Sequence, residues 1–162
     1  MKIILNKYSF IFLFLLISNL GFGQQPKLII PSGQNSWIMA TKISPDGKYL
    51  VSSAMDRSIK IYDLKEKKEV FTFWEHKDYA AAIDIASDNR TVVSGDVQGE
   101  NIVWDLYTGK VLFKCKNEFP YWVTAITISP DNKTFLSADY FGFVSEFNLN
   151  SGKLNIRERW IC

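Results

Sequence analysis

A chain of 162 residues is long enough for one domain or for part of a larger one. Its formal charge is +2, and Lys2 and Lys7, in a 23-residue leader without acids, account for that excess. The remainder balances 17 basic against 17 acidic side chains, which excludes the basic field of a nucleic-acid binder and the acidic field of a cation buffer.

Residues 1–23 read as a secretory signal peptide. Lys2 and Lys7 form a positive start, Phe10 to Ile17 an unbroken apolar core, and Gly21-Phe22-Gly23 places small residues where a signal peptidase reads, with cleavage expected before Gln24. The competing reading is an uncleaved anchor, but Tyr8 to Phe22 gives only fifteen residues where a spanning helix needs about 20. The expectation is therefore a secreted or periplasmic product with no stable membrane span after signal cleavage. With no cysteine near the cleavage point, nothing invites a lipid anchor. Cys115 and Cys162 are too few for a disulfide scaffold, and Cys115, in the alternating run VLFKCK, is most simply a strand residue. Its pairing with Cys162 is the alternative.

Residues 24–36 supply a leading strand, Lys27-Leu28-Ile29-Ile30, and the loop Gly33-Gln34. Three units follow, at 37–78, 79–120 and 121–162. In the first, IMATKI, YLVSS, SIKIY and EVFTF are brief β-branched or aromatic runs separated by turn residues, with no sustained period of 3.6. The turn Ser44-Pro45-Asp46-Gly47 returns as Ser87-Asp88-Asn89 and as Ser129-Pro130-Asp131-Asn132, at steps of 42 and 43 residues. Ile43, Ile85 and Ile128 precede it; Ser52, Ser94 and Ser137 lie six residues beyond its Asp. Tyr62-Asp63, Trp104-Asp105 and Phe147-Asn148 close the third run of each unit. Four short strands in a unit of about 42 residues describe a propeller blade.

The order of these landmarks resembles the WD-repeat β-propeller family over about residues 27–158. The fold class expected is all-β: a partial β-propeller of about three four-stranded antiparallel blades, with an N-terminal signal helix. In the family, His, Ser, Asp and Trp form a buried hydrogen-bonded relay that locks each blade. The resemblance assigns His76, Ser94 and Trp104 to it in the second unit, and Ser52, Asp56 and Tyr62 in the first. No unit shows all four residues at the family positions. Gln34 replaces His in the first, Gln98 replaces Asp in the second, and the third has Phe119, Phe141 and Phe147. Apolar packing is expected to replace the relay there.

Three units fall short of the roughly 4–8 blades that close a ring. A free wedge would expose an apolar face and unpaired edges, so a segment of a longer exported protein is expected, or self-association through open blade edges.

Chemistry is sparsely represented. A single histidine precludes a His-rich metal site. His76, Ser94 and Asp96 spell a nominal catalytic triad but are better explained by the structural relay. Asp96, Glu100 and Asn101 lack the ligand spacing of a calcium loop, and no Gly-rich phosphate loop leads from a strand into a helix. No cofactor, metal or catalytic residue is expected. Asn89-Arg90-Thr91 and Asn132-Lys133-Thr134 are glycosylation sequons placed where the turn itself favours Asn.

The better lead is periodic. The residue before each first strand is Trp37, Tyr79 or Trp122, and Met55, Val97 and Tyr140 recur in the turn after each second strand. By resemblance both sets face the top of the propeller, and rigid aromatics there suit a protein interface. The expected function is a non-catalytic protein-binding or scaffold module, its partner unidentified. Two alternatives are a sensor or substrate-positioning segment of a longer enzyme, caspase-like or another hydrolase, and a lactonase-type propeller hydrolase.

Overall fold

The computed structural model describes residues 36–159. The expected signal peptide at 1–23, the expected leading strand at 27–30, Gln34 and Cys162 lie outside the described residues. Within them the chain forms twelve strands: β1 Ile38–Ile43, β2 Tyr49–Ala54, β3 Ile59–Asp63, β4 Lys68–Phe73, β5 Ala80–Ile85, β6 Thr91–Asp96, β7 Glu100–Asp105, β8 Val111–Lys116, β9 Val123–Ile128, β10 Thr134–Asp139, β11 Phe143–Asn148 and β12 Leu154–Arg159. They pair consecutively and antiparallel into three four-stranded sheets, β1–β4, β5–β8 and β9–β12.

Turn chemistry explains why each strand stops where it does. Gly47, Asn89 and Asn132 adopt left-handed conformations (φ 73°, 58° and 56°) at the same place in the three first turns. Each donates its N–H back to Ser44, Ala86 or Ser129 respectively, at 2.8–3.1 Å. Glycine reaches this region freely and asparagine more readily than most residues. The two asparagines do more: Asn89 Oδ1 accepts the N–H of Asp46 at 2.7 Å, and Asn132 Oδ1 accepts the N–H of Ser87 at 3.2 Å. Each turn is thereby tied to the one before it, and the sequon asparagines are parts of the blade junctions.

The sheets stack face to face in chain order, with β1, β5 and β9 adjacent. One layer of side chains joins the first sheet to the second: Val51, Ile59, Ile61 and Phe73 meet Ile83, Val92, Ile102 and Trp104. Phe73 stacks on Trp104 with ring centroids 4.6 Å apart. A second layer joins the second sheet to the third: Val93 and Val103 meet Phe135, Phe147 and Leu149. Since successive side chains of a strand point to opposite faces, β7 sends Ile102 and Trp104 one way and Val103 the other. All six of its residues are buried. That position accounts for a run, NIVW, with no polar alternation.

Polar ties reinforce the stack. Buried Asp84 on β5 pairs with Lys42 of β1 (Oδ1 to Nζ, 2.9 Å) and accepts the N–H of Ile128 on β9 (Oδ2, 2.8 Å). Gly95 permits the close approach of the third sheet, because a β-carbon there would lie 2.6 Å from Val123 Cγ1. On the outward face of the third sheet, Leu136, Leu154 and Ile156 are exposed.

Candidate functional site

Two polar constructions and one aromatic surface occupy the end of the sheets where the second strands turn into the third. The first construction lies in the second sheet. Trp104 donates its indole N–H to Ser94 Oγ (3.1 Å), Ser94 Oγ lies 2.7 Å from His76 Nε2, and His76 Nδ1 lies 3.3 Å from Asp96 Oδ2. An indole N–H only donates, so the Ser94 hydroxyl accepts it and points its own proton at Nε2. Nδ1–H is left facing the carboxylate. Burial alone would raise the Asp96 carboxyl, but the His76 ring and the backbone N–H groups of Glu100 and Gln98 outweigh it and hold the pKa below the usual carboxylate value.

This geometry corrects one sequence-based expectation. The second unit does assemble a four-residue relay, with Asp96 as its acid in place of Gln98, which is exposed. Asp96 can take the role because Gly99 turns back with φ +76°, bringing the N–H groups of Gln98 and Glu100 over Asp96 Oδ1. Asp139 repeats the arrangement, accepting from the N–H groups of Phe141 and Phe143 at 2.9 and 3.1 Å. The signal was a shared spacing, Ser94-Gly95-Asp96 and Ser137-Ala138-Asp139. In the first unit Ala54 stands at that position, and Asp56 holds its turn through the Ser58 N–H (2.9 Å) and hydroxyl (2.5 Å). Tyr62 donates its hydroxyl to the Lys67 carbonyl at the far end of the strands. Ser52 is buried on β2, opposite Lys60.

The third unit differs from expectation in a second way. Phe135 and Phe147 do stack, 5.1 Å apart, but Ser137 is not abandoned to apolar surroundings. Its Oγ donates to Asn101 Oδ1 (3.0 Å) and accepts from Asn117 Nδ2 (3.3 Å), and Asn101 Nδ2 donates to Asn117 Oδ1 (3.2 Å). All three are buried, and the triangle crosses the junction between the second and third sheets. In place of a histidine the third unit uses Arg157 of β12, its side chain 9% exposed. The guanidinium carbon lies 4.9 Å from the Phe119 ring and 4.1 Å from the Phe143 ring. Glu118 pairs with Nη1, and Asp139 Oδ2 stands 3.5 Å from Nη2.

The relay is shaped for locking rather than for chemistry. Ser94 is fully buried, and its hydroxyl is already held by Trp104 and His76. His76, Asp96 and Glu100 bring ligand-type atoms within 4.8 Å of one another. Yet the first two are engaged with each other, Ser94 and the backbone, and Lys114 and Lys116 stand 4.0 Å from the Glu100 carboxylate. Burial, then the charge of Glu100, pushes the Cys115 thiol up to about 12, so it is an inert strand residue.

The aromatic surface gathers most of the residues the periodic reading singled out. The carbonyl of Trp37 accepts the N–H of Met55, and that of Trp122 accepts the N–H of Tyr140, both at 2.9 Å. The two periodic sets are thus backbone neighbours in the first and third units. Trp37 is 79% exposed, Tyr140 67%, Met55 40% and Trp122 37%; Tyr79 and Val97 are half-buried. Rings then follow one another along the second and third units. Tyr79 meets Trp122 edge-on (6.3 Å), Trp122 lies parallel to Tyr140 (6.3 Å, 10°), and Tyr140 meets Phe141 (5.5 Å). Phe141 meets Tyr121 (4.4 Å), which stacks on Phe119 (5.4 Å). Phe119, Tyr121 and Phe141 were not among the expected contact residues, because the first two precede the periodic position and Phe141 replaces a family aspartate.

Three consecutive four-stranded antiparallel sheets packed face to face, with first strands adjacent, define blades of a β-propeller. The model of the WD domain, G-beta repeat, matches residues 25–63, so the first unit carries a WD40 repeat. It is 29% identical over 105 residues to small ribosomal subunit protein RACK1y of Oryza sativa subsp. japonica, covering 57% of this chain and 31% of that protein. It is 33% identical over 82 residues to human pre-mRNA-processing factor 17, covering 48% of this chain and 14% of that protein. The chain therefore spans about a third or less of these relatives. Among solved structures, the RRP9 WD40 repeats superpose with a TM-score of 0.75 at 16% identity, over 79% of this chain and 40% of that one.

Proposed function

We propose that this chain is a non-catalytic protein-binding module of an exported WD40-repeat protein, and that its contact surface is the aromatic rim from Trp37 to Tyr140. The observation that carries this reading is the exposure of Trp37, Trp122 and Tyr140 at one end of three rigid sheets, with the backbone ties from Trp37 to Met55 and Trp122 to Tyr140 fixing the turns that bear them. Large aromatic side chains bury much area and lose little rotamer freedom on binding. The relatives' names point the same way, since one is a ribosomal subunit protein and another, from Pyricularia oryzae, is an MST50-interacting protein. Export rests on the leader at residues 1–23. Among the described residues no helix is long and apolar enough to cross a membrane.

Site-specific photocrosslinking tests the surface. A benzophenone amino acid at Tyr140 is expected to trap partner protein in the native cell. The same group at Tyr107, an exposed aromatic in the turn at the opposite end of the strands, is expected to trap none. Equal trapping at both positions, or none at Tyr140, would remove the proposal.

A further inference from the structure

We infer that the rim recognises a cationic segment of its partner, seating an arginine or lysine side chain over the open faces of Trp122 and Tyr140. This deepens the protein-binding reading and rests on it. The rings from Tyr79 to Phe119 form one continuous row, and ring faces carry negative quadrupole density that attracts a cation. The chain itself demonstrates the chemistry at one end of the row. The Arg157 guanidinium sits between Phe119 and Phe143, with Glu118 as its carboxylate partner.

The other end repeats the ingredients without the cation. Trp122 and Tyr140 lie parallel and exposed. Tyr79, edge-on to Trp122, is preceded by Asp78, whose carboxylate is fixed by the Tyr79 N–H (2.9 Å) and by Gln98 Nε2 (3.3 Å). Among the described residues the cations found over rings are Arg157 and Arg159, on Phe119 and Phe143. Trp122 and Tyr140 therefore offer ring faces to a cation from elsewhere, with the fixed Asp78 carboxylate one residue before the ring that abuts Trp122. A nucleic acid would need a basic surface, which the charge balance denies it. A purely apolar segment would make no use of Asp78.

Titration of the full chain with defined peptides, followed by tryptophan fluorescence, tests the inference. The probes are a short Gly-Arg repeat, the same peptide with citrulline for arginine, and a Pro-rich peptide of equal length. Citrulline keeps the shape of the side chain and removes its charge. The arginine peptide is expected to bind about 2- to 30-fold more tightly than its citrulline counterpart, the range an exposed to partly desolvated cation–ring contact provides. Trp122→Leu and Tyr140→Leu should each abolish the difference, and Asp78→Asn should reduce it, while each variant keeps the parent's far-ultraviolet circular dichroism and a cooperative melt. Equal binding of the charged and neutral peptides, a stronger response to the Pro-rich peptide, or indifference to Trp122→Leu would overturn it. Crosslinking at Tyr140 with no preference for arginine would remove the cationic partner alone; failure of both experiments would remove the rim as well.

Discussion

Tyr140 donates its backbone N–H to the carbonyl of Trp122 while its ring lies parallel to the indole, so one residue is fixed to the other by main chain and side chain together. The two contributions are separable. Tyr140→Ala removes the ring and should cost about 0.5–1.5 kcal/mol, the range for an aromatic pair. Tyr140→Pro also removes the donor, and should lower the urea midpoint further. If the proline variant is as stable as the alanine one, the main-chain tie has no energetic weight.

The relay predicts a graded response at Trp104. Trp104→Ala leaves a cavity against Phe73 and should cost roughly 3–5 kcal/mol. Trp104→Phe keeps most of the volume but removes the Ser94 donor, a loss of about 1–3 kcal/mol. Combined with His76→Phe, the double variant should lose less than the sum of the singles, because both act on the same hydroxyl. Strict additivity in urea unfolding would show that the four groups are not coupled.

Asp96 gives the relay a pH signature. Its folded-state pKa is depressed, so the stabilisation is fully present above the unfolded value of about 3.9 and is lost as pH falls through the lower folded value. The stability difference between the parent chain and Asp96→Asn should hold steady near neutrality and shrink as pH drops below about 4. A difference that stays constant down to strongly acidic pH would mean that the carboxylate is not what His76 and the turn engage.

Cys115 should be chemically silent in the folded chain. With the thiol pushed up to about 12, a Cys162→Ser variant should react slowly with a disulfide reagent at pH 8 and rapidly once unfolded. Fast, complete labelling of the native protein would contradict the packing of Cys115 against the second core layer.

The repeat was legible because turns and strand ends obey local rules. Ser-Pro-Asp-Gly and its two variants mark one reversal, and IMATKI and EVFTF became β1 and β4 with one residue added at most. The polar interior was harder to read because its residues answer to neighbours far along the chain. Asn101 and Ser137, 36 residues apart, share a hydrogen bond across two sheets. Of the two, the serine alone stands at a position where the family places a polar group. Asp96 was hidden for a different reason: a glycine turn three residues later set Asp96, and not the residue at 98, against the histidine. Arg157 looked like an ordinary charge on a terminal strand. Only the third dimension places Phe119 and Phe143 on either side of it.

The asparagine turns carry a directional consequence. Asn89 reaches back to Asp46 and Asn132 back to Ser87, so in both first turns an asparagine of the later unit accepts a backbone N–H of the earlier one. During synthesis the first blade leaves the ribosome with its turn unfastened, and waits for some forty further residues before the clasp arrives. Vectorial emergence and assembly thus share one polarity at these turns, and the newest blade of a growing chain still lacks the clasp that the next will bring.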